Sequence, residues 1–409
     1  MRSQNKKVRS KNNMSITQVS IINSIKNLLA LDSSVTDKGQ ENIHIENVRA
    51  FLKDLSAVPD LKKFYQEHLL GPYVYHNLKK LQGNENISDE VLAQFENEYY
   101  LTAVSNIEKL YASANIFQAF KKENIFGIPL KGVALIETLY RNPAIRPMAD
   151  IDILVKPDDC QKVRHVLGGL GYQLFESYRG SYNFINSENK PVLDLHTRFT
   201  RYEMLFNIDY SEIYRRLRQI NFNDQIRLKV FSPEHQLIHL ALHLAPGLYS
   251  DLNFLNLFDL YHMLKNKKIL MDWEYVGDFA MRSGTSSYIY APLYICEKIF
   301  RAGVPAQVLI KLGSELSGKR INYLENHYLA AILDKNNTGT KIFLERLVWA
   351  EGFLKKLKLI RTALFPERRE MADRFNIPEN SPRLYGLYMS RLWKILKKAE
   401  ARNKKVRSK

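Results

Sequence analysis

The sequence predicts an α+β fold, on three observations. Apolar positions recur at helical spacing before residue 87 and after residue 232, whereas short apolar runs broken by Gly, Pro and Asn crowd the stretch between. Within that stretch strand and helix alternate before further strands follow, an order that fits an α/β or α+β domain and, with its helical flanks, α+β overall. The chain has 409 residues, enough for two or three domains of roughly 150 residues.

Each element has its own signal. Ile16, Val19, Ile22, Ile25 and Leu28 recur at three-residue spacing and predict short helices over 15–80. A turn-rich patch at 83–86 precedes Ser88, an N-cap candidate with Asp89 and Glu90 in the first turn, so a long helix is expected from there to about Lys122. Its Tyr99, Tyr100 and Tyr111 read as packing residues. The apolar runs 125–130, 151–155, 182–185 and 192–195 predict strands, with helices over 133–140 and 158–170, the second closed by Gly171. Ser232-Pro233-Glu234 then opens a helix with a hydroxyl cap, a proline in the first turn and an acid at the positive dipole end. The expected organisation is a basic disordered tail (1–14), a helical N-terminal segment (15–86), a compact mixed core (87–231), a helical C-terminal domain (232–395) and a basic tail (396–409).

Composition narrows the function classes. With 45% hydrophobic, 11% aromatic and 25% charged residues the chain has the balance of a folded globular protein and not of a disordered or collagen-like one. No apolar run is long enough to span a bilayer, the start carries no signal-peptide pattern, and the two cysteines, Cys160 and Cys296, have no zinc-pair or disulfide-framework spacing. A reducing cytoplasm is therefore the expectation. The net charge is +17, yet residues 1–13 hold five basic and no acidic residues, and residues 391–409 hold nine basic residues against Glu400. The body is nearly balanced, so the expectation is weak contact of the tails with nucleic acid or anionic surfaces, and no built-in base-reading surface. The heptapeptide Asn-Lys-Lys-Val-Arg-Ser-Lys occurs at 5–11 and again at 403–409, and nothing in the sequence explains it.

The chemistry concentrates in residues 128–155 and 192–196. Asp150 and Asp152 are two apart in an apolar run, so on a strand both carboxylates leave one face, about 7 Å apart along the chain. Such like charges suit a divalent cation, since Mg²⁺ takes carboxylate oxygens and keeps the rest of its shell for water and phosphates. Asp194 and His196 share a face of a second apolar strand and bring a third acid. Upstream, Lys131-Gly132 lies where a strand becomes a helix: the glycine admits a phosphate to the backbone and the lysine adds a point charge, while Arg146 stands ready for a bidentate contact. His235, His239 and His243 lie four apart on a helix rich in Leu and Ile, and read as core or supporting residues, not as a zinc motif.

The series Leu-Lys-Gly, Arg-x-x-x-Asp-Ile-Asp-Ile-Leu-Val, Leu-Asp-Leu-His and Ser-Pro-Glu-x-x-Leu-Ile-His-Leu-x-x-His resembles the bacterial nucleotidyltransferase family proteins of the DNA polymerase β-type superfamily. Leu364-Phe365-Pro366 and Tyr388-Met-Ser-Arg-Leu392 are similar to the end of that family, so the likeness runs over most of 90–395. It implies a small mixed-sheet nucleotidyltransferase core, with Asp150, Asp152 and Asp194 as catalytic acids and ligands of two Mg²⁺ ions. It also implies Lys131, Gly132, Arg146 and His196 as nucleotide or phosphate contacts, and a nucleoside triphosphate (ATP or another NTP) as substrate. One departure stands out: Lys131-Gly132-Val133 replaces the superfamily's Gly-Ser or Gly-Gly pair, so a lysine takes the place of the phosphate-binding hydroxyl. The implied reaction is transfer of a nucleoside monophosphate to a hydroxyl or phosphate of a sugar, peptide, protein or small metabolite, with pyrophosphate released. The alternatives are an inactive nucleotide-binding or regulatory interaction protein of the same fold, and a nucleic-acid binder working through its basic tails.

Overall fold

The computed structural model describes residues 16–30, 46–55 apart from 48, 59–81, 87–245 apart from the loop positions 179, 187, 189–190 and 223–225, 254–333, and 347–407 apart from 348–349, 351 and 376. The expected tail at 1–14 and the turn patch at 83–86 lie outside these residues, as do the side chains of Ile16 and Val19. The rest of the first helical stripe is confirmed: helix Ile16–Ala30 buries Ile22, Ile25 and Leu28, and helices Pro59–Glu67 and Gly71–Leu81 follow.

Helix Asp89–Lys122 starts where its cap predicts, with the Ser88 side chain accepting from the Val91 N–H. It buries Phe95, Leu110, Phe117 and Phe120. Tyr99 packs near the ring of His76, and Tyr100, though 54% exposed, meets the rings of Tyr75 and Tyr99, but Tyr111 is 66% exposed, contrary to the packing role expected of it. Its position turns it away from the face that Phe117 and Phe120 press on the sheet.

Five strands form the central sheet, in the order β1 (Gly127–Pro129), β2 (Ile151–Val155), β5 (Leu193–His196), β4 (Ser181–Asn186), β3 (Tyr172–Tyr178). β2 and β5 run parallel and every other neighbouring pair is antiparallel, so the sheet is mixed. A separate hairpin joins β6 (Arg218–Phe222) to β7 (Ile226–Val230). Between β1 and β2 the chain forms helix Lys131–Leu135, which widens into a π turn over Ile136–Tyr140. Between β2 and β3 lies helix Cys160–Gly169, whose exit is turned by Gly171 at φ 86°, a conformation that costs glycine little.

Alternation along the strands sorts their side chains. Ile151, Ile153 and Val155 of β2 and Leu193 and Leu195 of β5 point into one core, shared with Phe117, Phe120 and Phe222. Asp152, Asp194 and His196, at the intervening positions, leave by the other face. A larger core unites the N-terminal helices with Leu130 and Leu135 and with the helical half that begins at helix Pro233–Leu244, which is capped by Ser232 through the His235 N–H as its sequence predicts. Helix Arg383–Arg407 runs on into the stretch expected as the basic tail, 396–409. Among the described residues no helix is long and apolar enough to cross a membrane.

Candidate active site

The acids meet because β2 and β5 are parallel neighbours whose register sets Asp152 directly against Asp194. Both side chains are buried, at 3% and 5% residue exposure. Two carboxylates cannot share such a place without positive charge, and the fold supplies it. Lys131 Nζ donates to Asp152 Oδ1 at 2.6 Å, and His196 Nε2 donates to the same oxygen at 2.8 Å while lying 3.2 Å from Asp194 Oδ2. The hydroxyl of Ser181, on the adjoining β4, donates to Asp194 Oδ1.

The charges follow from this geometry. Burial alone would raise the Asp152 carboxyl, but the ammonium of Lys131 and the bond and charge of His196 hold it well below the usual range. Burial likewise opposes ionisation of Asp194 and is outweighed by His196 and by the Ser181 hydroxyl, so this carboxyl too is lowered. His196 is pulled down by burial and more strongly up by Asp194 and by its two carboxylate bonds, so its proton is held more firmly than in water. Asp150 sits just before β2, half-buried, and feels Asp152, Lys131, Asp194 and His196. Burial first, and the negative charge of Asp152 second, push its carboxyl up to about 6.

Asp152, Asp194 and His196 place ligand atoms within 4.8 Å of one another, the group with metal-ligand spacing among the described residues. Asp150 stands beside this group and not in it, and His196, expected to touch phosphate, belongs to it. Lys131 occupies its predicted place at the strand-to-helix junction, with its ammonium on Asp152. Its backbone has φ 42°, a left-handed conformation that costs a residue with a Cβ about 1 kcal/mol. Gly132 is explained by packing: a Cβ there would collide with Met148 and come within 3.0 Å of Arg146 Nη1.

The structure places Arg146 in a buried ion pair and not at an open phosphate site. Its Nε and Nη2 donate to Asp259 of helix Phe254–Lys265 at 3.0 and 2.7 Å, and Nη1 donates to the Pro147 carbonyl. The Tyr140 hydroxyl, at the end of the π turn, donates to Asp259 Oδ1 at 2.8 Å. This cluster ties the loop before β2 to the helical half. Of the three spaced histidines, His235 meets the Tyr275 hydroxyl at 2.8 Å, His239 donates from Nδ1 to the Phe199 carbonyl at 2.9 Å with its buried Nε2 unpartnered, and His243 is exposed.

Sequence reasoning missed the supporting residues. Asn106, buried in helix Asp89–Lys122, donates to the carbonyls of Pro143 and Arg146 and accepts from the Met148 N–H, fixing the loop that delivers Asp150. Lys109, one turn on, donates to the Ser105 hydroxyl at 2.6 Å and lies near enough to Asp150 to feel its charge. A buried Asn and Lys on an apolar helix face were the available signal.

Residues 57–301 match the model of a protein family described as uncharacterised nucleotidyltransferase. No curated protein matches the chain.

Proposed function

Since this chain belongs to the uncharacterised nucleotidyltransferase family, and is thereby a transferase of phosphorus-containing groups, we propose that it moves a nucleoside monophosphate from a nucleoside triphosphate to a hydroxyl or phosphate of a sugar, peptide, protein or small metabolite. The observation that carries this reading is the buried Asp152–Asp194 pair, aligned on parallel strands and neutralised by Lys131 and His196. The donor set fits a hard divalent cation: two carboxylates abreast, a third at Asp150, and positive side chains already drawn to the charge. Asp152 and Asp194 would hold Mg²⁺, with Asp150 and His196 at its margin, and the ion would supply the neutralisation of charge on the triphosphate.

The chain's own groups do the rest. Lys131, freed from Asp152, turns its ammonium to the β or γ phosphate from the start of its helix. Asp194 orients the acceptor hydroxyl and takes its proton as the acceptor oxygen bonds to the α phosphorus. The bond from that phosphorus to the bridging oxygen breaks, and pyrophosphate leaves. Ser181 fixes the Asp194 carboxylate for this role, and Arg146, held by Asp259, supports Gly132 from behind.

The test is incubation of the protein with each α-labelled triphosphate, Mg²⁺ and fractionated cell extract. The reading expects label in one acceptor fraction, dependent on the metal. Absence of transfer from all four triphosphates to every fraction, with the protein folded, would reject it.

A further inference from the structure

Two helices outside the matched region carry apolar stripes on the wrong side. In helix Gly352–Leu364, Leu359 is buried and Lys355 reaches back to the Gly284 carbonyl, so that face rests on the body. Phe353, Leu357 and Ile360 lie on the opposite face at helical spacing, and Phe353 is 77% exposed. Helix Arg383–Arg407 repeats the arrangement. It packs through Leu384 on Met371 and Ala372, while Tyr385, Met389 and Trp393 recur every four residues along an exposed side. The two helices are joined near their ends, where the Tyr388 hydroxyl donates to the Pro366 carbonyl and Arg391 Nη2 to that of Ala363.

Their charge is one-sided. Residues 352–364 carry Lys355, Lys356, Lys358 and Arg361 with no acid, and residues 383–407 carry nine basic residues against Glu400. Lys397 lies over the Trp393 ring at 3.9 Å, with its ammonium at the edge of the apolar stripe. An outward stripe of aromatic and aliphatic side chains flanked by lysine and arginine is the pattern of a helix that lies in a bilayer interface, its apolar side among the acyl chains and its cations at the headgroups. A second copy would set the same positive field against itself. A nucleic acid would satisfy the cations and leave the aliphatic side chains in water.

We propose that helices Gly352–Leu364 and Arg383–Arg407 form a docking face for an anionic phospholipid surface. The inference stands apart from the transfer reaction, since neither helix contributes to the acidic site.

Sedimentation of the full chain with vesicles of phosphatidylcholine alone, or of phosphatidylcholine with phosphatidylserine, tests it. The expected result is binding to the phosphatidylserine vesicles only, weakened by high salt, with a blue shift of tryptophan emission. Replacing exposed apolar residues in both stripes, Phe353→Ser with Trp393→Ser, should cut that binding by about tenfold or more, and Lys394→Gln with Lys397→Gln should do the same. Unchanged thermal midpoints and circular dichroism would show both variants folded. The proposal is overturned by equal binding to neutral and anionic vesicles or by none to either. It is equally overturned if the serine variant keeps its binding, if it instead abolishes self-association of the protein, or if the protein prefers duplex or single-stranded nucleic acid and the serine variant is unaffected.

Discussion

Asp152 and Asp194 face each other across adjacent parallel strands, and one imidazole nitrogen, His196 Nε2, lies within 3.2 Å of both carboxylates. With Lys131 on Asp152 as well, positive side chains already neutralise the acids before any ligand arrives. Mg²⁺ and nucleotide would therefore enter by exchange, the metal displacing cations that are then available to phosphate.

The acids differ in what they do for stability, so their amides should differ too. Asp152→Asn takes the carboxylate from Lys131 in a largely buried place and leaves His196 with Asp194 alone, and should destabilise the metal-free protein by about 3 kcal/mol. Asp150→Asn removes a half-buried carboxyl already raised to about 6 and should be neutral or stabilising by about 1 kcal/mol at most. Repulsion between the acids, taken alone, would make both substitutions stabilising; the pairing of Asp152 reverses the sign for that residue. On the proposed reading both should lower transfer at least about a hundredfold, since each removes charge at or beside the proposed cation site. Denaturant titration and initial rates check the two halves.

Asp259→Ala should destabilise the fold by about 3 to 5 kcal/mol, because it leaves the buried Arg146 guanidinium unpaired. Arg146→Met with Asp259→Leu should recover much of that loss, as buried pairs replaced together often do. Thermal unfolding decides it. A single Asp259→Ala variant of undiminished stability would return Arg146 to the role of a free phosphate ligand.

Lys131→Ala should weaken triphosphate binding by about ten- to a hundredfold and monophosphate binding far less, read by calorimetry with Mg²⁺. Arg at this position should rescue only in part, its planar fork approaching phosphate differently. Lys131→Gly should lose the same affinity yet fold more stably than Lys131→Ala by about 1 kcal/mol, because the backbone there is left-handed at φ 42°.

The strands that carry Asp152 and Asp194 were legible because Ile151–Val155 and Leu193–His196 are apolar but for the acids and His196, which therefore stand out. The capped helix starts at Ser88 and Ser232 were legible because capping is local chemistry. β3 and β6 were not: Tyr-Gln-Leu-Phe-Glu-Ser-Tyr and Arg-Gln-Ile-Asn-Phe mix polar and apolar residues without a clean period. β7, Ile-Arg-Leu-Lys-Val, does carry the strict alternation of a half-exposed strand, a signal that continuous apolar runs do not contain. Of the candidate site, the three acids stood out as charges in or beside apolar runs, though the structure sets Asp150 just before β2 and outside the group of Asp152, Asp194 and His196. That Asp152 would lie against Asp194 depends on strand register, that Ser181 would hold Asp194 depends on β4 packing beside β5, and that Asp259 would claim Arg146 depends on a contact between residues 113 positions apart. Such pairings belong to the tertiary fold.

Acid should destabilise the protein through its buried histidines. Burial lowers His239 to about 3 and His235 to about 4, whereas in the unfolded chain both titrate near 6.5. Below pH 6.5 the unfolded state therefore binds protons the folded state refuses, and stability falls until the folded values are reached. His196, whose value is raised, works the other way, its contribution being full below 6.5 and lost as the pH climbs through its folded value. His239→Leu should remove about 2 kcal/mol of the loss between pH 6.5 and 5, seen as a flatter stability profile relative to wild type. An unchanged slope would show that His239 is protonated in the fold.

The most direct test of nucleotidyl transfer by these acids is a paired labelling experiment, in which extract and Mg²⁺ are incubated with triphosphate labelled at the α or at the γ phosphorus, using wild type and Asp194→Asn in parallel. The account predicts that α label enters the acceptor, that γ label appears only in pyrophosphate, and that the variant transfers neither. Entry of γ label into the acceptor, or full transfer of α label by folded Asp194→Asn, would contradict it.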